Sequence, residues 1–425
     1  MRDAQLPSHV SVFTPSHHPV YLTEAYASLE RQTYPDWEWI VLLNKGARWS
    51  PPHPDPRVRV ITDDLANGVG QAKARACAEA AGQLLVELDH DDLLVGDALE
   101  KVVKAHANDQ DASLFYSHSA QVNEDGSPDD SRFAADAGWT YRTETVEGRD
   151  LSYPVAMEPT PHNVSYIWWA PNHVRAFTKS AYTAAGGYDP ARTVLDDQDL
   201  MCRLYQQGPF RLIDDCLYLQ RMHELNTQRD PEVNAFIQQE TIALYDKYIE
   251  GNALAWARRN GLLALDLGAA HGKPDGYLGV DKHAGPGVDV VATLPGPLDL
   301  PDSSAGVIRA VDFLEHVTDK VALINEIHRL LAPGGLLLSM TPSTDGRGAF
   351  QDPTHVAFYN ENSFWYYTEA KYQAFVPEIT ARFQSSRLFT GFPSEWHQRH
   401  NIPYVTANLI ALKDPMDRNG GSYFW

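Results

Sequence analysis

The sequence predicts an α/β protein of two successive units, each a parallel sheet flanked by helices. Three observations predict it. Short apolar runs alternate with segments of helical spacing over residues 9–88, the same alternation restarts at Gly261 after a helical stretch at 232–260, and 425 residues suffice for two or three cores. In open sheets of this kind ligands bind beyond the carboxyl ends of the strands, so the strand ends are where function is sought.

Composition narrows the classes. Cys77, Cys202 and Cys216 lie far apart without a C-x-x-C, which argues against a disulfide framework or a zinc cluster and fits a reducing cytoplasm. The first residues, MRDAQLPSHV, lack an apolar core of signal-peptide length, and no uncharged apolar run reaches about 18 residues. A cytoplasmic chain without a transmembrane segment is expected. A formal charge of −21 disfavours a nucleic-acid backbone as partner but admits a small anionic nucleotide carried on a metal and a few local cations.

In chain order, residues 9–15 (HVSVFTP) form a β-branched and aromatic run stopped by proline, and 21–32 have helical spacing. Residues 37–43 read as a second strand ending at Asn44, 57–61 as a third, and a glycine-containing turn then opens an Ala-rich helix. That helix leads to LLVELDHDDLL, residues 84–94, a buried strand running into Asp89, Asp91 and Asp92 with only His90 between them. Carboxylates this close repel one another unless a cation offsets them, and oxygen ligands suit a divalent metal. A capped strand-to-helix turn is the alternative, because Asp also starts helices well.

The order and spacing of these pieces resemble the family 2 glycosyltransferases of the nucleotide-sugar-binding GT-A fold, over about residues 8–230. The resemblance implies a nucleoside-diphosphate sugar donor beside Thr14, Pro15, His17 and Asn44. It also implies a basic residue on the Ala-rich helix, Lys73 or Arg75, and Mn2+ or Mg2+ on Asp89 and Asp91. In AGGYDPARTVLDDQDL, Asp197 matches the catalytic base, while Asp196 and Asp199 serve equally well as helix N-terminal charges. In LYLQRMHELNT, His223 matches a further metal ligand and Arg221 a diphosphate contact. Trp139, Tyr141, Tyr166, Trp168 and Trp169 offer either a sugar-stacking platform or ordinary core, and SPDDSRFAADAG reads as a loop.

The second half presents GLLALDLGAAHG as a strand opening into a small-residue turn, YLGVD as a strand ending in Asp281, and VDVVATL as a third. GVIRAVDFLEHV, a helix at 319–331 and LLLSMTP follow. From about residue 262 to 370 this resembles class I methyltransferases that use S-adenosylmethionine, with LEHV and HRLLAPGGLLLSMTP carrying the similarity. The resemblance implies cofactor contacts at Gly268, Ala270, Asp281, Thr293 and Leu294. Ala269 and Ala270 replace the usual residues of the turn, and the spacing shortens or removes the usual first helix. His316, Asp352 and His355 are expected near a hydroxyl acceptor, as general base or as metal ligands. The last strands, in FQSSRLFTGF and NIPYVTANLIALK, are expected to be antiparallel.

Together the resemblances imply two nucleotide-binding Rossmann-like domains, a glycosyltransferase at 1–230 and a methyltransferase at 261–425, joined by a helical linker at 231–260. The implied chain is bifunctional. It transfers a sugar to a glycan or glycoconjugate acceptor and O-methylates the same or a related product, and peripheral contact with a lipid-linked acceptor stays open. The alternative keeps the methyltransferase-like half as a non-catalytic module that binds glycan or regulates transfer.

Overall fold

The first apolar run becomes β1 (Val10–Ser16), paired in parallel with β2 (Trp37–Leu43), in which every residue is buried. β3 (Val58–Thr62) and β4 (Leu84–Glu87) complete the parallel half. Beyond β4 the sheet is mixed, through β5 (Leu93–Leu94), β6 (Leu114–Asn123), β9 (Arg175–Thr178) and β10 (Phe210–Met222), while β7 (Tyr141–Val146) and β8 (Arg149–Pro154) form a separate hairpin. The order is β3-β2-β1-β4-β9-β6-β10-β5, with β9 antiparallel to both its neighbours. Val, Ile, Leu and Trp in β1, β2 and β4 are covered on both faces, by the helices Leu22–Glu30, Val69–Ala78 and Ala98–Asn108 among others. Gly82, before β4, allows that strand's close approach, because a Cβ there would meet His9 O at 2.5 Å and Ser11 N at 2.6 Å.

The computed structural model describes residues 9–129, 131–132, 139–166, 173–224, 231–270 and 272–414. Trp168, Trp169 and much of SPDDSRFAADAG lie outside them. Contacts divide the chain into one unit ending at Ile249 and another from Glu250, with Thr160–His162 counted in the second. The stretch expected as a helical linker is one helix, Pro231–Arg259, whose earlier part buries Leu244 and Tyr245 in the first unit and whose later part buries Ala253 and Ala257 in the second. Among the described residues no helix is long and apolar enough to cross a membrane.

The second unit holds β11 (Leu263–Leu267), β12 (Leu278–Asp281), β13 (Val290–Val291), β14 (Ala305–Val311), β15 (Leu331–Pro342), β16 (Phe383–Gly391) and β17 (Tyr404–Ala411). Their order is β13-β12-β11-β14-β15-β17-β16, parallel except for β17, which runs against β15 and β16. Strand order reverses between β11 and β14, which opens a crevice at their carboxyl ends. Among the described residues between β11 and β12 there is turn rather than helix. The helix Lys320–Leu330 starts where the Asp319 side chain accepts from Ala322 N at 3.0 Å.

Candidate active sites

In the first unit the strand ends converge on the turn after β4. Asp91 Oδ2 lies 2.8 Å from His223 Nε2, beyond the end of β10, and the Tyr21 ring stacks on His223 at 5.7 Å. The Asp92 carboxylate is buried and accepts from Arg221 N at 2.7 Å. The Arg221 guanidinium donates to Asp91 O (2.9 Å), Glu124 O (2.6 Å) and Glu24 Oε2 (2.6 Å) and lies over Tyr21. It therefore braces the acidic turn.

A second layer of charge lies beside this turn. Lys73 Nζ contacts Glu87 Oε1 at 2.5 Å and Asp196 Oδ2 at 2.9 Å, while Arg175 Nη1 contacts Asp197 Oδ2 at 2.7 Å and Glu87 Oε2 at 3.5 Å. Tyr188 donates to Glu87 Oε2. Buried charges persist only when paired, and here two cations face more than two carboxylates. The surplus falls on Asp89 and Asp196. Burial, with Glu87 and Asp91 alongside, outweighs Lys73 and pushes the Asp89 carboxyl up to about 7, and burial likewise raises Asp196. Burial also opposes ionisation of Asp197, yet Arg175 and Lys73 outweigh it and hold this carboxyl below the usual range.

The structure separates the three acids that open the helix Asp196–Gln207. Asp199 is buried against Arg203 and Tyr248, Asp196 is buried on Lys73, and Asp197 keeps 29% of its side chain exposed. Asp197 is thus the one of the three open to an acceptor. Lys73 is buried with its ammonium on Glu87 and Asp196. Arg75 is paired with Glu79 and Asp63 on the outer side of its helix. The Thr14 hydroxyl donates to Leu88 O at 2.7 Å and accepts from Trp39 Nε1 at 2.8 Å, tying β1 to the residue after β4 and to β2. Asn44 donates to Ala66 O, Pro15 is half-buried with its carbonyl 3.4 Å from His90 Nδ1, and exposed His17 meets the His90 ring edge-on at 5.5 Å.

The divalent ion implied by the resemblance finds fitting donors in Asp91 and His223, already in contact. Asp89 does not join them in a three-ligand group; among the described residues the group whose ligand atoms lie within 4.8 Å of one another is Glu315, His316 and His355. Sequence reasoning missed Glu87 and Arg175, although a charge inside an apolar strand, as in LLVEL, is a usable signal. Trp139 and Tyr166 are buried, the latter against Tyr245, and serve as core; Tyr141 lies under Arg132.

In the second unit Gly268 (φ +82°) and Ala270 (φ +31°) turn the chain sharply after β11. Half-exposed Asp281, ending β12, accepts from Ala270 N at 3.3 Å and His283 N at 2.9 Å. Each carboxylate oxygen retains a lone pair, so the turn and Asp281 fit the ribose of S-adenosylmethionine. Thr293 is exposed after β13, and Leu294 packs on the core. His316 and His355 meet edge-to-face at 5.0 Å, and exposed Asp352 accepts from Thr354 N and Oγ1.

Residues 11–166 match the family model described as glycosyl transferase family 2, and residues 265–339 match that of a methyltransferase domain. An uncharacterized protein of Sinorhizobium fredii, y4gI, is 28% identical over 219 residues, 48% of this chain and 21% of its own length. A chondroitin synthase of Pasteurella multocida is 25% identical over 174 residues, 41% of this chain and 16% of its own. The chain therefore spans about a fifth of these relatives. The crystal structure of S. aureus TarS 1-349 in complex with UDP-GlcNAc aligns with a TM-score of 0.40 at 14% identity, over 59% of this chain and 74% of that one.

Proposed function

We propose that this chain, which joins a family 2 glycosyltransferase domain of GT-A fold to a class I methyltransferase domain, is bifunctional. It transfers a sugar from a nucleoside-diphosphate donor to a glycan or glycoconjugate acceptor and O-methylates the same or a related product. The observation that carries the reading is the separation of Asp197, half-exposed and held ionised by Arg175, from its two buried neighbours. An ionised carboxylate open to an acceptor can take the hydroxyl proton as the oxygen attacks the donor sugar from the face opposite the leaving diphosphate. Asp91 and His223 would hold the divalent ion, which when bound neutralises diphosphate charge. Arg221 and Asp92 keep that turn in place. In the methyltransferase domain Asp281 would accept the ribose hydroxyls, while His316 and His355 would stand at the acceptor hydroxyl, as general base or as ligands of a metal that polarises it. Tethering raises the effective concentration of the glycosylated intermediate at the second site.

The test is a thermal-shift screen of the whole chain against nucleoside-diphosphate sugars with and without manganese, since only a ligand of the native state raises the melting temperature. The chondroitin synthase relative makes polysaccharide acceptors the first to assay with any hit. If no nucleotide sugar stabilises the protein in either condition, the glycosyltransferase reading fails. A non-catalytic second half is the competing reading, favoured by the turn that replaces a helix between β11 and β12. Calorimetry of the whole chain with S-adenosylmethionine decides between them, because absence of binding removes the methyltransferase activity.

A further inference from the structure

We infer that Glu315, His316 and His355 form a divalent transition-metal site in the methyltransferase domain, distinct from the acidic turn of the first unit. The fold brings together two segments far apart in sequence. Glu315 and His316 lie in a single 3-10 turn just after β14, and the loop that follows β15 is locked onto them, since Val356 N and Ala357 N both donate to Glu315 O at 2.9 Å. His355 is thereby held beside His316, and one ligand atom from each of the three residues lies within 4.8 Å of the others.

The protonation pattern fits metal binding. His355 Nδ1 is 3.0 Å from Ala349 O and His316 Nδ1 is 3.2 Å from Thr354 O. A carbonyl can only accept, so each Nδ1 carries the proton and each Nε2 presents its lone pair. The Thr354 hydroxyl, which donates to Asp352 at 2.7 Å, offers His316 Nδ1 a second acceptor at 3.2 Å; Asp352 thus orients His316 through Thr354. Glu315 supplies an independent observation. Its side chain is buried, Oε2 accepts from Thr341 Oγ1 at 2.6 Å, and Oε1 has no hydrogen-bond partner among the described residues. A buried carboxylate oxygen without a donor is unfavourable unless a cation meets it.

Two imidazoles and one carboxylate suit Zn2+, Mn2+ or a similar borderline ion and leave coordination positions open. Exposed Phe350 and Phe358, stacked at 5.2 Å on the same loop, offer an apolar face for a sugar ring. The role of the site rests on the methyltransferase reading above. An acceptor hydroxyl bound at an open position loses its proton to solvent, and its oxygen bonds the methyl carbon as the carbon–sulfur bond of S-adenosylmethionine breaks. S-adenosylhomocysteine then leaves.

The test uses the whole chain, stripped with a chelator, carrying Asp91→Ala to silence the other site, and titrated with Zn2+ alone by calorimetry and with Co2+ alone by visible absorption. One bound ion per chain is expected, with cobalt bands typical of low coordination number. His316→Ala and His355→Ala should each weaken Zn2+ binding at least about 100-fold and abolish those bands. Glu315→Gln should do the same, and the exposed His316 variant keeps the test valid if the Glu315 variant misfolds. Unchanged Zn2+ affinity in the histidine variants overturns the site. Metal binding without methyl transfer to any saccharide leaves the site standing and defeats the methyltransferase reading. Methyl transfer that persists after chelation overturns the metal's role while preserving that reading.

Discussion

At the scale of single residues the proposed glycosyltransferase site is a problem of distributing charge. Arg175 keeps Asp197 ionised, and Asp197→Asn preserves size but cannot accept a proton. Sugar transfer should fall by about 100- to 10,000-fold with donor affinity nearly unchanged, measured as initial rate and by calorimetry. Loss of nucleotide binding would instead place Asp197 on the donor side. Asp89 carries a different signature. Its folded value of about 7 lies above the ordinary 3.8, so the folded state holds the proton more tightly than the unfolded chain. Stability from this group is fully present below about pH 4 and is lost as pH rises through about 7. Burial chiefly, with Lys73, Glu87, Asp91 and Arg175, sets that value, and Asp89→Asn should flatten the fall in melting temperature between pH 5 and 8 measured without divalent ions. An unchanged slope in the variant would assign the effect to another group. The D-x-D and the R-x-H stand out in the sequence because each is short and local. The ion pairs of Lys73 were not legible, because its partners Glu87 and Asp196 are 14 and 123 positions away in sequence and only the fold reveals that they share its burial.

At the scale of elements, strands and helices were legible wherever burial covers both faces. The run WEWIVLL is β2 to the residue, because a fully covered strand needs uninterrupted apolar side chains and stops where they stop. The mixed half of the sheet was harder to read. β9 is only four residues long and contains Arg175, whose charge is tolerated there by Asp197 and Glu87. Close packing gives an element-scale prediction. Gly82→Ala would press a methyl group against His9 O and Ser11 N, which are backbone atoms that cannot swing aside. The first unit should lose about 1–3 kcal/mol in denaturant unfolding. A neutral substitution would show that β1 and β4 slide apart at no expense.

At the scale of the whole molecule the two sheets are proposed to carry separate ligand sites, and their independence is testable in both directions. Asp91→Ala should abolish sugar transfer while methyl transfer continues. Asp281→Ala should weaken S-adenosylmethionine at least about tenfold, because hydrogen bonds to a charged acceptor contribute about 1.5–3 kcal/mol each, while sugar transfer continues. Both activities and the melting temperature measured on each variant decide the matter: cross-inhibition sinks the independence, and unchanged methyl-donor affinity removes Asp281 from the site. The sequence by itself determined that there are two α/β units, where their strands end, and which acids and histidines stand at those ends, because hydrophobic periodicity and short motifs are local properties of a chain. Tertiary structure alone decided which of those groups are available. It placed Lys73, Thr14 and Arg221 inside hydrogen-bond networks, left Asp197 open, and brought His355 to His316 and Glu315 across 39 and 40 positions of chain. The physical reason is that burial and pairing depend on neighbours distant in sequence, and no local pattern records which charges will share one low-dielectric pocket.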